Sequence, residues 1–178
     1  MKSKSIINKF IERDARIRSY FFEFHLPNID TESFIKKINQ HIEQKNLNDQ
    51  TNVQGEMTDW KAFLNDEDLR KILYDCFFEL KDYAKIGKVT VDEAWGIKIN
   101  KGDFTFEHNH GGTMFSGVLY LSDSEQKLVF PELEIEVTPK KGTLVMFNSY
   151  LRHKTNSINK SDEPKYGIAF NCNTFTFL

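Results

Sequence analysis

Apolar residues recur at helical spacing in two stretches of the first half of the chain. In DTESFIKKINQHIEQ the recurring positions are Phe34, Ile35, Ile38 and Ile42, and Asp30 or Thr31 stands where an N-cap is needed. NDEDLRKILYDCFFELKDYAKIG repeats the pattern more clearly. Leu69, Ile72, Leu73, Cys76, Phe77 and Leu80 form one apolar face, and Gly87 supplies a stop. Between the two, LNDQTNVQGEMTDW is polar and without period, and reads as a loop.

From Lys88 the texture changes. Short runs rich in Val, Ile, Phe and Thr alternate with the turn signals NKGD, HGG, SDSEQ, TPKKG and NKSDEP. Roughly seven to nine short strands are expected there, with no long helix among them. The pattern predicts a mainly β sandwich, jelly roll or barrel, with the two N-terminal helices packed on the outer face of one sheet. No repeat, low-complexity tract or linker divides the chain. Residues 1–178 are therefore expected to form a single domain, with 1–87 as a helical lead-in and support and 88–178 as the jelly-roll core.

Composition narrows the function classes. The chain has 178 residues, 16 of them phenylalanine, which is enough apolar material for a real core and argues against disorder. The net charge of −2, with both signs interspersed, carries no basic footprint, so a nucleic-acid partner is disfavoured. The N-terminal stretch is charged throughout, unlike a signal peptide, and no apolar run reaches membrane-spanning length. Cys76 and Cys172 are the only cysteines and lack metal-ligand spacing, which fits reduced thiols. A soluble protein of the cytoplasm is expected. Nothing in the sequence requires a homodimer, and nothing excludes one.

Of five histidines, two stand one residue apart, in DFTFEHNHGG. On a strand, i and i+2 share a face, so Phe104, Phe106, His108 and His110 are expected to point inward, and Thr105, Glu107 and Asn109 outward. Gly111 and Gly112 then end the strand and place the imidazoles at a mouth. Imidazole is the commonest metal ligand, and His153, in NSYLRHKTNS, is the candidate third ligand. His25, in an expected loop, and His41, in the first helix, are weaker candidates. The competing reading is a set of structural or solvated histidines. The letters HNH also occur in a ββα nuclease unit, but here the flanks are neutral to acidic and no helix follows.

FEHNHGGTMFSGVLYLS, TPKKGTLVMFNSYLRHKTNSI and EPKYGIAFN, in that order, resemble the double-stranded β-helix (cupin-like) core of the Fe(II)- and 2-oxoglutarate-dependent oxygenases. They are similar in particular to small bacterial and phage oxygenases related to prolyl hydroxylases. The likeness runs from about Trp95 to Asn173, and TNVQGEMTDW resembles a lid segment of the phage members. It implies His108 and His153 as iron ligands, with His110 where the family normally has a carboxylate. It also implies Tyr120 and Lys165 as partners of the far carboxylate of 2-oxoglutarate. Ser116 and Asn100 would lie on strands lining the cosubstrate pocket. The implied reaction decarboxylates 2-oxoglutarate to succinate and hydroxylates a C–H bond of a small molecule or a protein side chain.

The residues around Lys165 support that implication independently. In KYGIAFN, alternation puts Lys165, Gly167, Ala169 and Asn171 on one face and Tyr166, Ile168 and Phe170 on the other. One cation followed by hydrogen and methyl side chains leaves room for a ligand with a negative end. The departure at His110 matters electrostatically. Two imidazoles and a carboxylate leave Fe(II) near a charge of +1, whereas three imidazoles leave it at +2. Glu107 is expected to point away, and Asp103 reaches the site only across a bulge. A three-histidine dioxygenase that does not use 2-oxoglutarate therefore stands as an alternative, beside a non-catalytic binding or structural jelly roll.

Overall fold

The computed structural model describes residues 19–44, 51–84 and 87–175, so the charged stretch 1–18 lies outside the described residues. Helices α1 (Thr31–Gln44) and α2 (Glu67–Ala84) form where the apolar periodicity places them. Asp30, not Thr31, caps α1: its carboxylate accepts the Ser33 N–H at 3.0 Å. Asp66 caps α2 in the same way through the Leu69 N–H at 3.0 Å. Lys37 of α1 reaches that same Asp66 at 2.7 Å, which ties the two helices together. No helix among the described residues is long and apolar enough to cross a membrane.

The first half contributes strands as well as helices. Strand β1 (Phe21–His25) is an edge of the main sheet, so His25 ends a strand and does not lie in a loop. The expected loop between the helices contains two short strands, β2 (Val53–Gln54) and β3 (Glu56–Met57). Two-residue strands carry no measurable period, and their pairing with distant chain decides their conformation. Residues 1–87 are thus more than a helical lead-in.

The remaining strands are β4 (Lys88–Ile99), β5 (Phe104–Thr105), β6 (Phe115–Tyr120), β7 (Leu128–Phe130), β8 (Ile135–Val137), β9 (Thr143–Asn148), β10 (Lys154–Thr155) and β11 (Lys165–Phe175). Six strands pair antiparallel in the order β1-β9-β6-β11-β4-β3, and β10-β7-β8 and β2-β5 form the opposing smaller sheets. This is a jelly roll with the helices on the outer face of the large sheet. Phe34, Ile38, Leu69, Leu73, Cys76 and Leu80 of the helices pack against Leu119, Leu144, Met146, Ile168 and Phe170. A second cluster fills the space between the sheets: Val118, Tyr120, Leu128, Phe130, Val145 and Phe147. The alternation expected for β11 is observed, with Tyr166, Ile168 and Phe170 on the helix side.

Two glycines leave room for close contacts, Gly96 between sheet and helix and Gly117 within the sheet. At Gly96, Ile38 of α1 lies 2.5 Å from where a Cβ would stand. At Gly117 the added carbon would meet the Phe170 ring and the Val145 carbonyl oxygen, the latter at 2.6 Å. Main chain in a sheet cannot step aside. Gly117→Ala should therefore cost about 1–3 kcal/mol, read as a lower urea midpoint at unchanged slope. Gly111→Ala, where nothing lies within 4 Å of the new carbon, should stay within about 0.5 kcal/mol of the parent.

Candidate metal centre and cosubstrate cavity

The two histidine-bearing segments meet through their backbones. His108 and His153 form an antiparallel bridge, with the His108 N–H donating to the His153 carbonyl at 3.1 Å and the reverse bond at 2.9 Å. Ion pairs flank the bridge: Glu107 binds Lys154 at 2.8 Å and Arg152 at 3.3 Å, and Arg152 also binds Glu132 at 2.7 Å. His110 is held separately by its N–H, which donates to the Ser149 carbonyl at 2.8 Å. One ring nitrogen from each of His108, His110 and His153 lies within 4.8 Å of the others. The spacing suits three ligands of one ion.

The chemistry of the donors suits a metal too. The Nδ1 atoms of His108 and His153 lie 2.8 Å and 3.0 Å from the carbonyls of Phe106 and Leu151. A carbonyl only accepts, so each neutral ring carries its proton on Nδ1 and leaves the Nε2 lone pair free for a metal. Burial holds His108 below the ordinary histidine value. Burial first, then the charge on His108, pushes His110 down to about 4 and His153 to about 3. All three rings are therefore neutral near pH 7, the state in which imidazole ligates. The walls are aromatic: Phe147 lies 4.8 Å from His153 and Trp95 lies 6.3 Å from His110, ring centre to ring centre.

The strand expected across DFTFEHNH is broken. Only Phe104 and Thr105 form a strand, paired with β2; the chain bends at Glu107 before the isolated bridge at His108. Thr105 lines the cavity with His108 and His110, while Phe106 is 49 % exposed. The inward face therefore changes parity between Thr105 and His108, and Phe104 and Phe106 do not share it. The cause is a change of partners: the Phe106 N–H is drawn to the Asn52 carbonyl at 2.9 Å, and its carbonyl turns to the His108 ring. Glu107 points away, into its surface ion pairs. The Asp103 carboxylate accepts the Asn100 N–H at 2.8 Å and so closes a turn. Neither acid belongs to the histidine cluster.

The cavity that starts at the histidines runs between the sheets to Lys165. Tyr120, Ser116 and Lys165 all line it, as does Val53 of β2. Asn100 does not: its side chain donates to Glu56 at 2.8 Å, outside the cavity. Ser116 donates to Asn171 at 2.7 Å, and Asn171 in turn donates to Glu93 at 2.8 Å. Lys165 is 6 % exposed, and burial lowers its amine to about 8. Among the described residues no carboxylate pairs with it; its Nζ donates to the side-chain oxygen of Gln126. Burial also pushes the Tyr120 hydroxyl upward, so it stays protonated and able to donate. Sequence reasoning missed Gln126, because a glutamine in a turn-rich SDSEQ looks solvated.

No protein-family model matches the chain, and no curated protein sequence does. Solved structures do match. The viral collagen prolyl hydroxylase of Paramecium Bursaria Chlorella virus-1, in its 2-oxoglutarate complex, is 19 % identical with a TM-score of 0.67, over 86 % of this chain and 95 % of that one. A prolyl-4-hydroxylase of Pseudomonas putida is 17 % identical with a TM-score of 0.62, over 86 % and 92 %. HygX of Streptomyces hygroscopicus, with nickel and 2-oxoglutarate bound, is 13 % identical with a TM-score of 0.60, over 88 % and 84 %. The chain thus shares its fold with viral and bacterial prolyl hydroxylases and with HygX.

Proposed function

We propose that the protein is an Fe(II)- and 2-oxoglutarate-dependent oxygenase that hydroxylates a C–H bond of a small molecule or a protein side chain. The observation that carries this reading is one cavity with two chemically matched ends. Three neutral imidazoles stand at one end, and a buried lysine without a carboxylate partner among the described residues stands at the other. Such a cavity suits a molecule with a chelating 2-oxo acid head and an anionic tail. The fold shared with proteins solved with 2-oxoglutarate bound supports the same ligand.

In this reading His108, His110 and His153 hold the metal, and the carbonyls behind His108 and His153 keep their lone pairs aimed at it. Lys165 and Tyr120 receive the far carboxylate, and the aromatic walls exclude water from the head group. Bound iron and 2-oxoglutarate would supply, with O2 as the oxidant, decarboxylation to succinate and CO2 and the coupled hydroxylation, one oxygen atom going to each product. A second reading, a three-histidine dioxygenase without 2-oxoglutarate, is favoured by the absence of a carboxylate ligand at His110. The buried Lys165, with no carboxylate partner among the described residues, counts against it.

The deciding assay is release of succinate from 2-oxoglutarate in air, with Fe(II) and no added primary substrate. Succinate above the metal-free control is expected; none under any metal loading would sink the 2-oxoglutarate reading. Metal binding tests the ligand set separately. The parent should bind about one equivalent of Mn(II), and His108→Ala and His153→Ala should lose it, since each removes one of three ligands. His110→Ala should lose as much as His108→Ala, whereas His110→Asp should retain metal. Unaltered binding in His110→Ala would show that the third ligand is another group.

Lys165 gives a pH-dependent prediction. A buried carboxylate needs a charged partner, so Lys165→Ala should weaken anaerobic 2-oxoglutarate binding by about 2–4 kcal/mol with metal still in place. Tyr120→Phe should lose about 1 kcal/mol, the worth of one hydrogen bond. The anion favours the protonated amine, so ligand binding takes up a proton once the free amine has lost it. Affinity in the parent should be level below about pH 8 and fall above it. Lys165→Ala should lack that alkaline fall. Calorimetric titrations across the range would read both effects.

A further inference from the structure

Gln126 lies in the turn between β6 and β7 and is 3 % exposed. Its Nε2 donates to two main-chain carbonyls, that of Asp103 at 2.9 Å and that of Ser157 at 2.7 Å. Carbonyls only accept, so the amide has one tenable orientation. Reversed, its oxygen would face two oxygens and its NH2 group would face an ammonium. Oε1 is therefore turned to Lys165, which donates to it. The other ionisable groups lining the cavity are Tyr120 on β6 and the three histidines, and none of them is an anion near pH 7.

We propose that Gln126 is a positioning residue that makes the cavity selective for a 2-oxo acid with a second carboxylate. It anchors one N–H of Lys165 with a neutral acceptor and leaves the remaining N–H groups and the whole positive charge to the ligand. This rests on the 2-oxoglutarate reading. A glutamate at this position would pair with Lys165 internally and cancel the charge that the ligand's far carboxylate needs. It would also set an anion against the two carbonyls. An apolar residue would take the side-chain donor from the Ser157 carbonyl, leave the Asp103 carbonyl with only the Asn159 N–H at 2.8 Å, and leave the ammonium without its anchor. A neutral amide of this length meets all three demands.

The test compares two probes on the full-length protein loaded with Mn(II) under anaerobic conditions. 2-Oxoglutarate has the far carboxylate, while pyruvate presents the same 2-oxo acid head without it. Gln126→Glu is expected to lose about a hundredfold in 2-oxoglutarate affinity, as expected for a lost charge pair, with pyruvate affinity unchanged. Gln126→Met, close in length and easier to accommodate, should lose roughly tenfold for 2-oxoglutarate alone. This second variant decides the matter if the first does not fold. An equal loss for both probes would mark Gln126 as merely structural and overturn the proposal. So would variants that prefer 2-oxoglutarate as strongly as the parent does. A parent that binds the two acids equally would instead overturn the cosubstrate reading itself.

Discussion

The alternation of side chains along β11 sets the terms for the rest of the molecule. A strand sends successive residues to opposite faces, and β11 lies inside the large sheet, between β4 and β6. Its helix-side residues, Tyr166, Ile168 and Phe170, must be large to meet α1 and α2. Its inner residues must stay small, or Gly167 and Ala169 would no longer leave a cavity. Lys165 begins that inner row and so lines the cavity. One strand thereby carries both the packing that stabilises the fold and the cation that gives the cavity its character.

The opposite end is governed by the pairing of two chain segments far apart in sequence. Reciprocal backbone bonds between His108 and His153 set the distance between their rings, and carbonyls two residues back hold each ring by its Nδ1. Burial keeps the imidazoles neutral, which removes their mutual repulsion and leaves three ring nitrogens within 4.8 Å of one another. Between the ends the cavity lining carries no anion, so Lys165 meets no competing partner there. A ligand bridging the two ends would have to bring its own anionic groups, since the cavity lining supplies none.

Much of this was legible beforehand, for identifiable reasons. The helices declared themselves because their apolar period persists over several turns, and β11 because its alternation is unbroken. The histidines stood out because two stand one residue apart in a chain with only five. Short strands β2 and β3 were invisible, since two residues carry no period. The parity change at Phe106 was equally hidden: it follows from a bond to Asn52, a residue far back in the chain. Asn100 fell outside the cavity because its partner, Glu56, comes from the same distant segment.

The sequence by itself determined the layer order, the face each long element buries, and the residue types available for metal and anion chemistry. Those features follow from local periodicity and side-chain chemistry, which need no knowledge of what lies across the core. Only the tertiary structure decided that His108, His110 and His153 converge, that Lys165 has an amide for a partner, and that Asp103 and Glu107 are occupied elsewhere. All but the Asp103 turn, which Asn100 closes from three residues back, depend on contacts between residues distant in the chain. The hydrogen-bonding demands of buried groups select such contacts, and those demands arise only once the layers have closed.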